Sequence, residues 1–152
     1  MNELLNAKAS IEILKPLEEV FEAIVNPDIM SNYFLQSSTG RLEEGVTVEW
    51  KFPEFDDIFP VTGKVIKAYD YISFDWSGGI EGMIVEIFLE SYQDVFTVVR
   101  IKESFMKMDE EGLKQAIGQT EGWANFLACL KANVEYGINL RKGAFDFMKT
   151  HK

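Results

Sequence analysis

The sequence predicts an α+β fold in which a curved antiparallel sheet wraps around one long C-terminal helix. Three observations predict it. A central stretch alternates apolar and polar residues with a period of two, turn residues cut that stretch into short segments, and an amphipathic segment of helical period follows it. Short connections favour antiparallel pairing, because parallel strands need long crossovers.

The elements follow in order. Ala9, Ile11 and Ile13 alternate with Ser10 and Glu12, which reads as a first strand with one buried face. Pro16 then suits the first turn of a helix, where Glu18 and Glu19 meet its positive end. Leu17, Val20, Phe21 and Ile24 supply its apolar stripe. Asn26-Pro27-Asp28 caps a second short helix expected to run through Tyr33 and Phe34. From Gly40 to Glu103 the pattern is that of strands. Val46, Val48, Trp50 and Phe52 share one face, as do Ile72, Phe74 and Trp76, and then Met83, Val85, Ile87 and Leu89. Turn signals stand at Glu44-Gly45, Asp70, Gly78-Gly79 and Gln93-Asp94. Val61–Tyr69 and Val95–Ile101 also read as strands, with no facing assigned.

A helical stretch starts at Asp109-Glu110-Glu111, and the main helix is expected from Thr120 to Lys142, about 35 Å long. Its apolar arc holds Trp123, Phe126, Leu127, Leu130, Val134 and Ile138, with Asn125, Ala132, Glu135 and Asn139 opposite. Arg141 and Lys142 complement its negative end and Gly143 terminates it. Gly137 falls inside this expected helix, which fits either a close approach or tolerance of a weak helix former.

Composition narrows the function. The 152 residues suit one domain, and a chain of this length buries roughly 70% of its unfolded surface without needing a metal or disulfide. Fifteen basic against 25 acidic residues give a formal charge of −10, which argues against nucleic acid and anionic membranes as partners. One cysteine, Cys129, cannot form an internal disulfide and is expected to be buried and structural. The first residues carry no signal-peptide pattern and no apolar run reaches membrane-span length, so a cytoplasmic location is expected.

Specific residues carry a resemblance. The run Lys15-Pro16-Leu17-Glu18-Glu19-Val20-Phe21-Glu22-Ala23-Ile24 with Asn26-Pro27-Asp28 resembles the opening of the START-related helix-grip superfamily, also called SRPBCC. Glu44-Gly45 before the 46–52 strand fits the next landmark. Gly122-Trp123, Phe126-Leu127 and Leu130-Lys131 resemble the last helix of the branch named for activators of the ninety-kilodalton heat-shock chaperone's ATPase. The similarity covers about residues 8–142, so a single helix-grip domain is expected over 1–152. It implies a β-α-α-β6-α order with a cavity between sheet and helix. Ligand binders, cyclases and co-chaperone domains share this fold, so it does not choose among functions.

On that fold the expected ligand-binding residues are Trp50, Phe52, Phe74, Trp76, Met83, Val85 and Ile87 on the sheet, with Trp123, Phe126, Leu127 and Leu130 on the helix. The same residues could instead fill an ordinary core. The one histidine, His151, lies at the chain end, so no histidine chemistry and no catalytic residue is expected. Glu54, Asp56, Asp57 and Glu81 are expected in solvated loops, and no metal or cofactor motif is present. Phe145, Phe147 and Met148 form an apolar tail expected to dock on its own domain rather than on a second copy. The leading expectation is non-enzymatic binding of a small hydrophobic molecule. The alternatives are a protein-interaction module with a chaperone partner or as a homodimer, and a cyclase-type acid–base enzyme. An open cavity with a convergent polar group favours the first; a filled interior with an exposed patch favours the second.

Overall fold

The first and last strands lie side by side, and that pairing sets the architecture. The computed structural model describes residues 4–80 and 83–150, so Glu81 and His151 lie outside the described residues. Within them are the strands β1 (Leu4–Ile13), β2 (Ser37–Ser38), β3 (Thr47–Lys51), β4 (Ile58–Lys67), β5 (Tyr71–Asp75), β6 (Ile84–Tyr92) and β7 (Phe96–Lys107). They form one sheet in the order β1-β7-β6-β5-β4-β3-β2, antiparallel throughout. Helices α1 (Leu17–Val25) and α2 (Pro27–Met30) carry the chain from one sheet edge to the other. Helix α3 (Glu110–Tyr136) packs chiefly on β1 and β7. Register irregularities in β1 at Leu5/Asn6 and in β4 between Gly63 and Ile66 bend the strands, as bulges do.

The alternation sorts residues between faces as expected. Val48 and Trp50, Ile72 and Phe74, and Val85, Ile87 and Leu89 are buried against the helix side. Val46 is the exception. It is 41% exposed because β3 begins one residue later, and its backbone turns with Gly45 in a left-handed conformation. The short helix α2 stops at Met30, and Tyr33 and Phe34 are buried in the turn that follows it. There the Tyr33 hydroxyl donates to the Ala23 carbonyl at 2.7 Å, and burial holds its pKa well above the usual tyrosine range.

The closing helix differs most from expectation. It is one continuous element that starts ten residues before Thr120 and ends six before Lys142. Asp109 caps it, its carboxylate accepting from the Gly112 N–H at 2.7 Å. Gly112 also passes so close to the Lys107 carbonyl that a Cβ there would sit 1.7 Å from its oxygen. Gly137 is the terminator rather than an interior residue: its φ of 67° is left-handed, and its N–H returns to Asn133. Ile138, placed in the apolar arc by periodicity, therefore lies past the helix and is 52% exposed. Val134 is half-buried, whereas Trp123, Phe126, Leu127 and Leu130 are fully buried.

The polar side of α3 is not all solvated. The Glu135 carboxylate is buried, accepting from the Leu14 N–H at 2.8 Å and from Lys131, which also donates to the Glu12 carbonyl. This clamp fastens the helix end to the end of β1. Burial alone would raise the Glu135 pKa, but the Leu14 and Lys131 hydrogen bonds outweigh it and hold the carboxyl below its ordinary 4.5.

Two outcomes test this packing. Leu130→Ala should cost about 2–5 kcal/mol in denaturant unfolding, the range for a fully buried leucine. Because the folded-state pKa of Glu135 is depressed, its stabilisation is complete above the unfolded value and is lost as pH falls through the folded one. Glu135→Gln should lower Tm at neutral pH, and the gap to the parent should shrink as the pH falls below the ordinary carboxylate range. A gap that stays constant with pH would remove the clamp's electrostatic role.

Candidate functional site

At one end of the helix–sheet interface the packing stops short, leaving a cleft of about 380 Å³. Every layer of the fold contributes to its lining. The turn after α2 supplies Phe34, the end of β3 supplies Phe52, and the next loop and β4 supply Phe55 and Phe59. Trp76 comes from just past β5, while α3 presents Gln119, Gly122 and Trp123. Arg141, from the segment following α3, completes it.

The walls brace one another. Phe52 meets the edges of Phe34 and Phe59 with ring centroids 5.1 and 5.4 Å apart, and Trp76 lies 5.3 Å from Trp123. Behind them Trp50, Phe74 and Phe126 continue the same network into the closed core. On α3 the cleft side is smooth at Gly122, where an added Cβ would touch nothing within 4 Å.

Beneath this wall lies a buried carboxylate. Glu103, on β7 between Ala7 and Val85 of the neighbouring strands, is 2% exposed. It accepts from Trp123 Nε1 at 2.8 Å, Gln119 Nε2 at 2.8 Å and Trp76 Nε1 at 2.9 Å. The donors come from α3 and from just past the end of β5.

A second buried polar pair stands at the other side. Glu54 and Arg141 form an ion pair at 2.9 Å with side chains 2% and 14% exposed. The guanidinium also lies over the Phe34, Phe52 and Phe145 rings, 5.6, 5.5 and 4.9 Å from their centroids. Its Nε, enclosed by these groups, meets no hydrogen-bond acceptor. Arg141 also divides the aromatic cleft from a more polar cavity of about 420 Å³ whose rim includes Asn139, Lys142 and Asp146.

The sequence-predicted binding residues therefore separate into two groups. Phe52, Trp76 and Trp123 line the cleft. Trp50, Phe74, Val85, Ile87, Phe126, Leu127 and Leu130 belong to the packed core behind it, and Met83 lies partly buried against that core. Two acidic or basic residues are corrected. Glu54 is not in a solvated loop but in the buried pair, and Arg141 serves that pair rather than the helix end. In the tail, Phe145 stacks on Arg141, while Phe147 and Met148 are 59% and 41% exposed. Burial pushes the Cys129 thiol above its ordinary pKa, which leaves it an unreactive part of the core. Among the described residues no group of three or more His, Cys, Asp or Glu side chains is placed to hold a metal ion. No helix among them is long and apolar enough to cross a membrane.

The profile of the activator of Hsp90 ATPase homolog 1-like proteins matches residues 15–135, which spans α1 to nearly the end of α3. The chain belongs to that family. Among solved structures, protein SSP2350 from Staphylococcus saprophyticus is similar at 29% identity and a TM-score of 0.79, over 90% of this chain and 96% of that one. The Aha1 dimer from Colwellia psychrerythraea is similar at 19% identity and a TM-score of 0.74, over 88% and 98%. DynU16, a putative protein in the dynemicin biosynthetic locus, is similar at 19% identity and a TM-score of 0.75, over 88% of this chain and 48% of that one. No protein of curated function matches the sequence. At such identities the likenesses establish the helix-grip fold of this Hsp90-activator-homolog member and leave its site to be argued from its own residues.

The buried pair yields a direct test. Arg141→Met or Glu54→Gln alone strands one buried charge and should cost about 3–5 kcal/mol in urea unfolding. The double variant should recover most of that loss. Additive losses would mean the two charges are not coupled.

Proposed function

We propose that this domain binds a small, largely apolar aromatic molecule in the cleft between α3 and the open end of the sheet. The observation that carries the reading is a concavity with aromatic walls drawn from both the sheet and the helices and a limited polar complement, Gln119 and Arg141. The wall rings are fixed by edge-to-face contacts and by the Glu103 hydrogen bonds, so the cleft needs no rearrangement to accept a flat guest. Glu103 itself lies behind the rings rather than at the surface of the cleft, which favours binding over acid–base chemistry on the guest. The neighbour DynU16, described as a putative protein in the dynemicin biosynthetic locus, and the di-domain ARO/CYC BexL from the BE-7585A biosynthetic pathway, at 17% identity, support a small-molecule role.

A second reading, contact with a protein partner, draws on a different observation. Leu113 and Ile117, one turn apart on α3, are 51% and 63% exposed, and Met108 nearby is 53% exposed. The relative solved as an Aha1 dimer fits that reading. The two readings use different surfaces and can be separated.

Gly122→Leu separates them. A leucine here replaces a helix glycine where the added Cβ meets open space, so Tm should hold or rise, by the equivalent of about 1 kcal/mol in propensity. The same side chain projects from the cleft lining. N-phenyl-1-naphthylamine, a neutral aromatic probe, should bind the parent protein near one-to-one, quench its tryptophan fluorescence and raise Tm. Binding should fall at least about tenfold in Gly122→Leu. Unchanged probe affinity in a folded Gly122→Leu protein would move the function to the exposed α3 surface.

A further inference from the structure

The arrangement around Glu103 restricts which aromatic molecules the cleft accepts. A carboxylate only accepts hydrogen bonds, so Gln119 must turn its amide nitrogen toward Glu103, where Nε2 lies 2.8 Å from Oε1. Its carbonyl oxygen is thereby directed away from Glu103, on a half-buried side chain that lines the cleft. Both cleft indoles spend their N–H on the same carboxylate, at 2.9 and 2.8 Å, so Trp76 and Trp123 offer the guest ring surface and no donor. The polar signature that remains on the α3 side is one oriented acceptor.

Charge adds a second restriction. The donors to Glu103 are all neutral, and the nearby guanidinium of Arg141 is matched by Glu54. The buried groups around the cleft therefore carry an excess negative charge, in surroundings that screen it poorly.

Resting on the binding reading above, we infer that the cleft selects aromatic ligands that are neutral or cationic and carry a hydrogen-bond donor, such as a phenol or aryl amine, and that it rejects aryl carboxylates. Gln119 is the specificity-determining contact and Glu103 the residue that positions it. An unpaired acceptor facing a donor-free guest, and like charge facing an anionic one, both act as discrimination by penalty.

Three probes on one naphthalene ring test this by calorimetry or fluorescence at neutral pH: naphthalene, 2-naphthol and 2-naphthoate. The parent protein should bind 2-naphthol about five- to tenfold tighter than naphthalene, the worth of one well-placed hydrogen bond, and 2-naphthoate weakest of the three. Gln119→Met keeps the bulk and removes the acceptor, so the naphthol-to-naphthalene ratio should fall to about one, with naphthalene gaining as the penalty of the unpaired acceptor is lifted. Glu103→Gln keeps the shape and removes the charge. In that variant 2-naphthoate should gain relative to 2-naphthol. If this core variant does not fold, the half-exposed Gln119→Met carries the test alone. Equal affinity of the parent for 2-naphthol and 2-naphthoate would overturn the inference and leave the binding cleft standing, as would an unchanged ratio in Gln119→Met. Failure of all three probes, with N-phenyl-1-naphthylamine also failing, would remove the binding reading and this inference together.

Discussion

A charged group has been taken out of water at the centre of this fold, and much of the surrounding structure is arranged to satisfy it. Glu103 sits on β7 with 2% exposure, where an isolated carboxylate would cost several kcal/mol. Three N–H groups compensate it, two indoles and one amide, donated from α3 and from the end of β5. Each donor is bulky, so satisfying the charge also fixes where Trp76, Trp123 and Gln119 stand. The helix cannot slide along the sheet without breaking the Gln119 and Trp123 bonds together. An all-apolar interface of the same area would resist such a slide less sharply, because dispersion contacts are non-directional.

The same device recurs toward the other end of α3 and beside the cleft. Glu135 takes the Leu14 N–H and Lys131, fastening the helix terminus to the end of β1. Glu54 takes Arg141, which draws the segment after the helix back over the Phe34 and Phe52 rings. Between these polar fixtures the contacts are apolar: Leu127 and Leu130 are buried against the sheet. Burial supplies most of the stabilisation, and the polar contacts fix the register in which that burial occurs.

This division explains what could be read from the sequence. Period-two alternation located β3, β5 and β6 and placed Trp50, Phe74, Val85 and Ile87 on the inner face, because faces follow from pleat geometry alone. The family resemblance, carried by the 15–28 run and the α3 residues, supplied the helix-grip order that the topology shows. The polar fixtures were missed for one reason: a charged residue read in isolation is assigned to solvent. For Glu103 a signal existed, since it continues the inward parity of Thr97, Val99 and Ile101, and Gln119 lies one turn before Trp123. For Glu54 and Arg141, 87 residues apart in a loop and a tail, no local pattern announces the pair. The helix end was misplaced because an apolar periodicity that runs on through Ile138 outweighed the glycine that stops it.

The cleft stays open for a reason that lies in residue size rather than in polarity. Farther along α3 Phe126 meets the turn after α2, with ring centroids 4.7 Å from Phe34 and 5.7 Å from Tyr33, and these ring contacts fill the space on that flank of the helix. One turn toward the helix start the side chain on the same flank vanishes at Gly122, while the sheet opposite still carries full-sized rings at Phe52, Phe59 and Trp76. A helix with larger residues there would close the gap as it does at Phe126. A glycine weakens an exposed helix segment by about 1 kcal/mol, and the turn that holds Gly122 is tied to Glu103 through Gln119 and Trp123. The buried carboxylate and the empty cleft are thus two sides of one arrangement. The first holds in place a helix segment that the second has left thin.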